Sequence, residues 1–158
     1  MELQFLIAAS ASDFNAGRQL FRAYAQSLDF DLSFQDFEKE LTSIGAQYGA
    51  PEGALVLGFD GTMPVACAGV RRWDDKTAEL KRMYIDPVYR GQKLGARLIA
   101  IALETALQLG YERMVLDSVS SMKAAIHLYE SFGFRKIEPY RFNPFDDAVF
   151  MGKQLKKE

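Results

Sequence analysis

Apolar positions follow two rhythms along the chain, and the change between them outlines the elements. Residues 3 to 8 read as a first strand. Ser10, followed three residues later by Asp13, forms a capping-box pattern, and a helix is expected from there to about Leu28, with Phe14, Leu20, Phe21 and Tyr24 near one face. Ser33 and Asp36 repeat that pattern ahead of Phe34, Phe37, Leu41 and Ile44, which predicts a second helix, and Gly49, Pro51 and Gly53 open a loop. Residues 54 to 59, 65 to 70 and 78 to 85 then read as an antiparallel meander, with Asp60-Gly61 as a hairpin turn.

From Leu94 the rhythm becomes helical again. Leu94, Leu98, Ile101, Ala102, Thr105 and Leu109 recur at three- and four-residue intervals until Gly110. Residues 114 to 116 make a short buried strand. Ala124, Ala125, Leu128 and Phe132 mark a further helix stopped by Gly133, and residues 134 to 137 and 148 to 151 complete the strands. The order βααβββαβαββ predicts an α/β fold in which helices cover both faces of a mixed sheet. Without repeats, low-complexity stretches or linkers, residues 1 to 158 read as a single domain.

Composition narrows what such a domain does. Hydrophobic residues make up 49% and charged residues 25%, with a formal net charge of −2, so the basic footprint of a nucleic-acid binder is missing. Cys67 is the one cysteine and His127 the one histidine, too few ligands for a Cys/His zinc cage. No apolar run is long enough for a transmembrane helix, and the apolar start lacks a basic leader region. A cytoplasmic protein is the resulting expectation, with neither nucleic acid nor membrane as partner.

Candidate chemistry concentrates between Glu79 and Ala96, where a strand runs into a basic, glycine-bearing turn that opens a helix. The first turn of a helix has N–H groups without partners and a partial positive charge, which suits a phosphate or pyrophosphate. Gly91 and Gly95 allow close backbone approach, and Arg90 and Lys93 add charge. The spacing is neither that of a Walker loop nor that of a dinucleotide fingerprint.

The segment resembles the signature of the GNAT superfamily of N-acetyltransferases, whose loop reads Arg/Gln-x-x-Gly-x-Gly/Ala. Arg90 matches the first position and Gly95 the last. Lys93 replaces the middle glycine, and a lysine there is expected to exclude a backbone conformation that only glycine tolerates. A second stretch, Ala124-Ala-Ile-His-Leu-Tyr129-Glu-Ser-Phe-Gly133-Phe134, is similar to the family's Leu-Tyr-x-x-x-Gly-Phe helix end, and the element order matches the family's fold. Met122 stands where the family often carries an Asn, leaving Ser120, Ser121 or Lys123 as substitutes for its cofactor contact.

The resemblance implies direct acetyl transfer from acetyl-CoA to a primary amine, with acetyl-CoA as co-substrate and no metal. By it, Arg90, Gly91, Gln92, Lys93, Leu94, Gly95 and Ala96 cradle the pyrophosphate. Met83 and Ile85 pair with the pantetheine arm as an added strand would, and a backbone N–H near Met83 polarises the thioester carbonyl. Tyr129 is the donor to the departing thiolate, or else a core aromatic. Glu79, eleven residues before Arg90, is the candidate base. Its alternatives are a solvated strand position and an ion-pair partner for Lys81. His127 and Cys67 are read as structural.

Acceptor-side candidates are Tyr24, Phe30, Phe34, Tyr140, Arg141 and Asn143. The aromatic and polar run Tyr140-Arg-Phe-Asn143-Pro suits either a binding loop or a packed turn. A small-molecule amine leads over amino acids, antibiotics and protein lysines, because no extended charged groove is evident. The competing functional class is an acyl-CoA-binding sensor without turnover. The resemblance also allows a homodimer.

Overall fold

The structure is a computed structural model and describes residues 3–28, 31, 32 and 36–155. The first strand, β1 (Gln4–Ile7), leads into α1 (Ala11–Ser27). The expected capping box starts that helix: Ser10 Oγ accepts from the Asp13 N–H at 3.1 Å, and Asp13 Oδ2 accepts from the Ser10 N–H at 3.3 Å and the Ala9 N–H at 3.0 Å. These amides hold the Asp13 carboxyl below the usual aspartate range. Of the second capping pattern only Asp36 is described. Ser33 lies outside the described residues, and Asp36 is itself the N-cap, in a left-handed conformation without a side-chain cap bond. The helical pattern that follows divides at Ser43 into α2 (Phe37–Thr42) and α3 (Ile44–Gln47), one helix more than the sequence pattern shows.

The meander forms as β2 (Ala54–Asp60), β3 (Met63–Arg72) and β4 (Thr77–Ile85). Asp60 pairs with Met63, so the hairpin loop is Gly61-Thr62, one residue later than the Asp-Gly reading. A single 3₁₀ turn, Pro87–Tyr89, links β4 to α4 (Leu94–Gln108), and β5 (Arg113–Val119), α5 (Lys123–Ser131), β6 (Arg135–Lys136) and β7 (Ala148–Gln154) complete the chain. The seven strands lie in the order β1-β2-β3-β4-β5-β7-β6, antiparallel except for the parallel pair β4–β5.

Strand alternation sends the two faces of this sheet into two cores. Val56, Val70, Leu80 and Met114 pack with Leu98, Ile99 and Ala102 of α4 on one face. Leu55, Leu57 and Cys67 pack with Leu20 and Phe21 of α1, Ile44 of α3 and Tyr48 on the other. Because both faces are covered, β2 is buried almost throughout and reads as a continuous apolar run. Each fully buried Leu or Ile contributes about 1.5–3 kcal/mol. Among the described residues, no helix is long and apolar enough to cross a membrane.

Candidate functional site

The site begins where two parallel strands part. β4 and β5 pair only at Thr77–Arg113, Ala78–Met114 and Glu79–Val115, while β5 stays paired with β7 as far as Val119–Ala148. Beyond Leu80 and Leu116 the facing edges separate around a solvent-connected cleft. Its walls include Leu80 to Met83 of β4 and Leu116 to Val119 of β5, with Tyr24, Tyr129 and Asn143 reaching in from helices and a loop.

One irregularity decides which backbone groups face the cleft. Gly69 lies opposite Lys81 and Cys67 opposite Tyr84, so Ala68 alone faces two residues, Arg82 and Met83. This is a β-bulge, and Arg82 takes the left-handed region with φ 57°. At one end the Trp73 N–H donates to the Thr77 carbonyl, and at the other the Asp86 N–H donates to the Val65 carbonyl. By alternation, residues 77, 79 and 81 turn their main chain to β3 before the bulge, and 84 and 86 do so after it. Met83 and Ile85 therefore present their main chain to the cleft.

Beyond the end of β4 lies the glycine-bearing turn. Arg90 Nε donates to the Ile85 carbonyl at 3.1 Å, which fastens the turn to the end of β4. Gly91 has φ 86°. Lys93, the N-cap of α4, has φ 61° and provides no side-chain cap. The expectation that a lysine excludes this conformation is therefore corrected: Lys93 occupies the left-handed region, at a cost of about 1–2 kcal/mol. The first helical bond runs from the Arg97 N–H to the Lys93 carbonyl, so the amides of Leu94, Gly95 and Ala96 have no partner among the described residues. Gln92 and Lys93 are exposed beside them. A Cβ on Gly95 would lie 2.8 Å from Leu128 Cδ2, so the glycine lets α4 approach α5. These uncapped amides at the end of an open strand edge fit a diphosphate with an extended arm.

Tyr129, on α5, enters the cleft with its ring edge-on to Phe134 at 5.9 Å. Its hydroxyl has no hydrogen-bond partner among the described residues, and burial pushes its pKa up, so it stays protonated. On the α1 side the cleft holds Lys81 and Asp117, both buried, with Nζ and Oδ1 3.9 Å apart. Asn143 Nδ2 donates to Asp117 Oδ2 at 3.2 Å, and its Oδ1 accepts from the Phe145 N–H at 3.0 Å. Burial pulls the Lys81 pKa down to about 8, against the raising effect of the Glu79 carboxylate.

Glu79 is fully buried but does not line this cleft. Its Oε1 accepts from Arg71 Nε at 2.9 Å, and its Oε2 accepts from the Tyr140 hydroxyl at 2.6 Å and from Arg141 Nη1 at 2.9 Å. Burial opposes its charge, yet Lys81, Arg71 and Arg141 outweigh that and hold the carboxyl below the usual glutamate range. Of the two earlier alternatives, the solvated position is overturned, while Lys81 does attract the carboxylate, alongside ion pairs to two arginines. The segment 140–143 is thus a packed turn and a cleft wall together, with Tyr140 and Arg141 on Glu79 and Asn143 in the cleft.

Tyr24 lies in the cleft, whereas Phe30 and Phe34 are outside the described residues. Met122 lines the cleft with its Sδ 3.6 Å from Ser118 Oγ. Ser120 is engaged with Asp147 at 2.9 Å. His127 is exposed, and Cys67 is buried with its thiol 3.2 Å from the Arg82 carbonyl. The sequence reading missed Lys81 and Asp117 as site residues, together with the buried pair Glu40–Arg82. The available signal was the run of charge at Glu79, Lys81 and Arg82 within one strand of a buried sheet.

Comparison with known proteins bears on the family and the fold. The model of the acetyltransferase (GNAT) family matches residues 15–134. An uncharacterized N-acetyltransferase of Schizosaccharomyces pombe is 35% identical over 92% of this chain and 90% of its own length. A GNAT acetyltransferase from Staphylococcus aureus Mu50 superposes with a TM-score of 0.80 at 21% identity, covering 98% of this chain and 100% of its own. A putative acetyltransferase from Salmonella typhimurium, solved with its cofactor acetyl-CoA, superposes with a TM-score of 0.75 at 18% identity, covering 100% of this chain and 96% of its own.

Proposed function

The chain belongs to the acetyltransferase (GNAT) family, and from that premise we propose that it transfers the acetyl group of acetyl-CoA directly to the primary amine of a small molecule. It is an N-acetyltransferase, and acetyl-CoA is its co-substrate. The observation that carries the reading is the parting of β4 from β5, with the Met83 and Ile85 main chain facing the gap.

Acetyl-CoA supplies a thioester whose carbonyl carbon is the electrophile. The amides of residues 91 to 96 hold the diphosphate, helped by the charge of Lys93. The Met83 and Ile85 main chain pairs with the pantetheine arm, and the Met83 N–H stabilises the charge that develops on the carbonyl oxygen. Asp117, the carboxylate that lines the cleft, takes the proton from the incoming amine. The N–C bond forms as the C–S bond breaks, and the Tyr129 hydroxyl donates a hydrogen bond to the departing sulfur. Lys81 Nζ lies 3.9 Å from Asp117 Oδ1, and Asn143 orients the carboxylate. Glu79 is left out of the proton transfer because three donors already occupy its carboxylate. Asn143 and Phe145 narrow the cleft beside Asp117, which favours a small acceptor over a protein segment.

Thiol release from acetyl-CoA, measured against a panel of small amines, peptides and amino acids, tests the proposal. Turnover with small amines, largely lost in Asp117→Asn, is the expected result. Acetyl-CoA binding with no turnover on any acceptor would favour a sensor. Turnover on peptides alone would overturn the small-acceptor assignment.

A further inference from the structure

Arg82 is the residue whose backbone conformation is hardest to explain locally. It lies within a strand, it is 5% exposed, and its φ of 57° belongs to a region that a bulky side chain enters only at a cost. Such a conformation persists where its surroundings over-determine it. Here they do so from four sides. Glu40 of α2, 42 positions away, grips the guanidinium with two bonds, Oε2 to Nε at 3.0 Å and Oε1 to Nη2 at 2.6 Å. The Tyr48 hydroxyl donates to Glu40 Oε2 at 2.7 Å, and its ring fills the space that a side chain at Gly69 would need, beside the bulge. The Phe37 ring covers the guanidinium at 5.4 Å and the Tyr24 ring at 6.0 Å. The Arg82 carbonyl accepts from the Cys67 thiol.

The bulge has one consequence for the site. Without the extra residue, alternation would turn the Met83 N–H toward β3 and away from the cleft. We propose that Glu40 is a positioning residue for acetyl transfer: by clamping Arg82 it holds the left-handed turn that aims the Met83 N–H into the cleft. The proposal rests on the reading of that N–H as the group facing the thioester carbonyl. It assigns a role to α2, a six-residue helix that lines no part of the cleft among the described residues.

Two double variants separate this role from that of a buried ion pair that only stabilises the fold. Glu40→Gln/Arg82→Gly and Glu40→Gln/Arg82→Ala both remove the pair and leave no unpaired charge. They differ in that glycine enters the left-handed region freely and alanine does not. The expected result is a kcat at least about tenfold higher for the glycine variant than for the alanine variant, with acetyl-CoA dissociation constants within twofold of each other. The Met83 amide resonance should stay near its wild-type shift in the glycine variant and move in the alanine variant. Equal kcat values and equal Met83 shifts in the two folded variants would overturn the proposal. If the wild type itself shows no acetyl-CoA turnover, the functional reading fails separately. The Met83 shifts then decide whether the Glu40–Arg82 clamp sets the turn.

Discussion

At the scale of single residues, the two carboxylates near the parting strands are divided by their surroundings. Asp117 lines the cleft, takes one hydrogen bond from Asn143 and has Lys81 at 3.9 Å, so it retains acceptor capacity for an amine proton. Glu79 spends its capacity on Arg71, Tyr140 and Arg141. Asp117→Asn is therefore expected to lower kcat/KM by about 10²–10⁴-fold, the usual contribution of a positioned base. Glu79→Gln should keep most of kcat/KM, because no proton in transit meets it, and should move only the alkaline limb to lower pH, because its carboxylate raises the Lys81 pKa. Profiles of kcat/KM between pH 6 and 10 check both, and a kcat/KM lost in Glu79→Gln but kept in Asp117→Asn would reverse the assignment. Tyr129→Phe should lower kcat several-fold while calorimetry finds acetyl-CoA affinity within twofold of wild type, since the hydroxyl meets only the leaving sulfur.

At the scale of elements, the start of α4 combines a strained cap with a close helix contact. Lys93 pays for its left-handed φ, so Lys93→Gly should raise stability by about 1 kcal/mol in urea unfolding. The same change should weaken acetyl-CoA binding through loss of the cationic side chain. Gly95→Ala presses its methyl group on Leu128 and should cost about 1–3 kcal/mol. Leu128→Ala in the same chain should recover part of that by making room, which a double-mutant cycle reads directly. This turn was legible in the sequence because its signals are local: two glycines, two cations and a helix start within seven residues. The left-handed state of Lys93 was not, since a lysine there gives no sign that the surrounding turn will impose it. Tyr129 was legible through its motif. Asp117 was not, because its place in the cleft depends on β5 parting from β4 and on a loop returning 26 residues later with Asn143. Tyr140 and Arg141 were read as acceptor contacts, yet their partner is Glu79, more than 60 residues earlier and fixed only by the sheet order.

At the scale of the whole molecule, two buried carboxylates tie distant parts of the fold to β4. Glu40 joins α2 to β4 through Arg82, and Glu79 joins β3 and the loop before β7 to β4 through Arg71 and Arg141. Burial raises the pKa of each, but the arginine contacts outweigh it, with Lys81 adding to the pull on Glu79, and both lie below the usual glutamate range. A carboxyl whose folded pKa is depressed contributes stability that is fully present above its unfolded value and lost as pH falls through the folded value. The unfolded value is about 4.3. The protein should therefore hold its stability from neutral pH down to about pH 5 and lose it steeply below about pH 4. Glu79→Gln should cost about 3 kcal/mol at pH 7, because it removes an anion from two partly buried arginines. It should also flatten the acid limb, since one of the proton-linked carboxylates is gone. Urea unfolding at half-unit steps from pH 3 to 7 measures both effects. An acid limb as steep in Glu79→Gln as in the wild type would mean that the carboxylates binding the extra protons lie elsewhere in the fold.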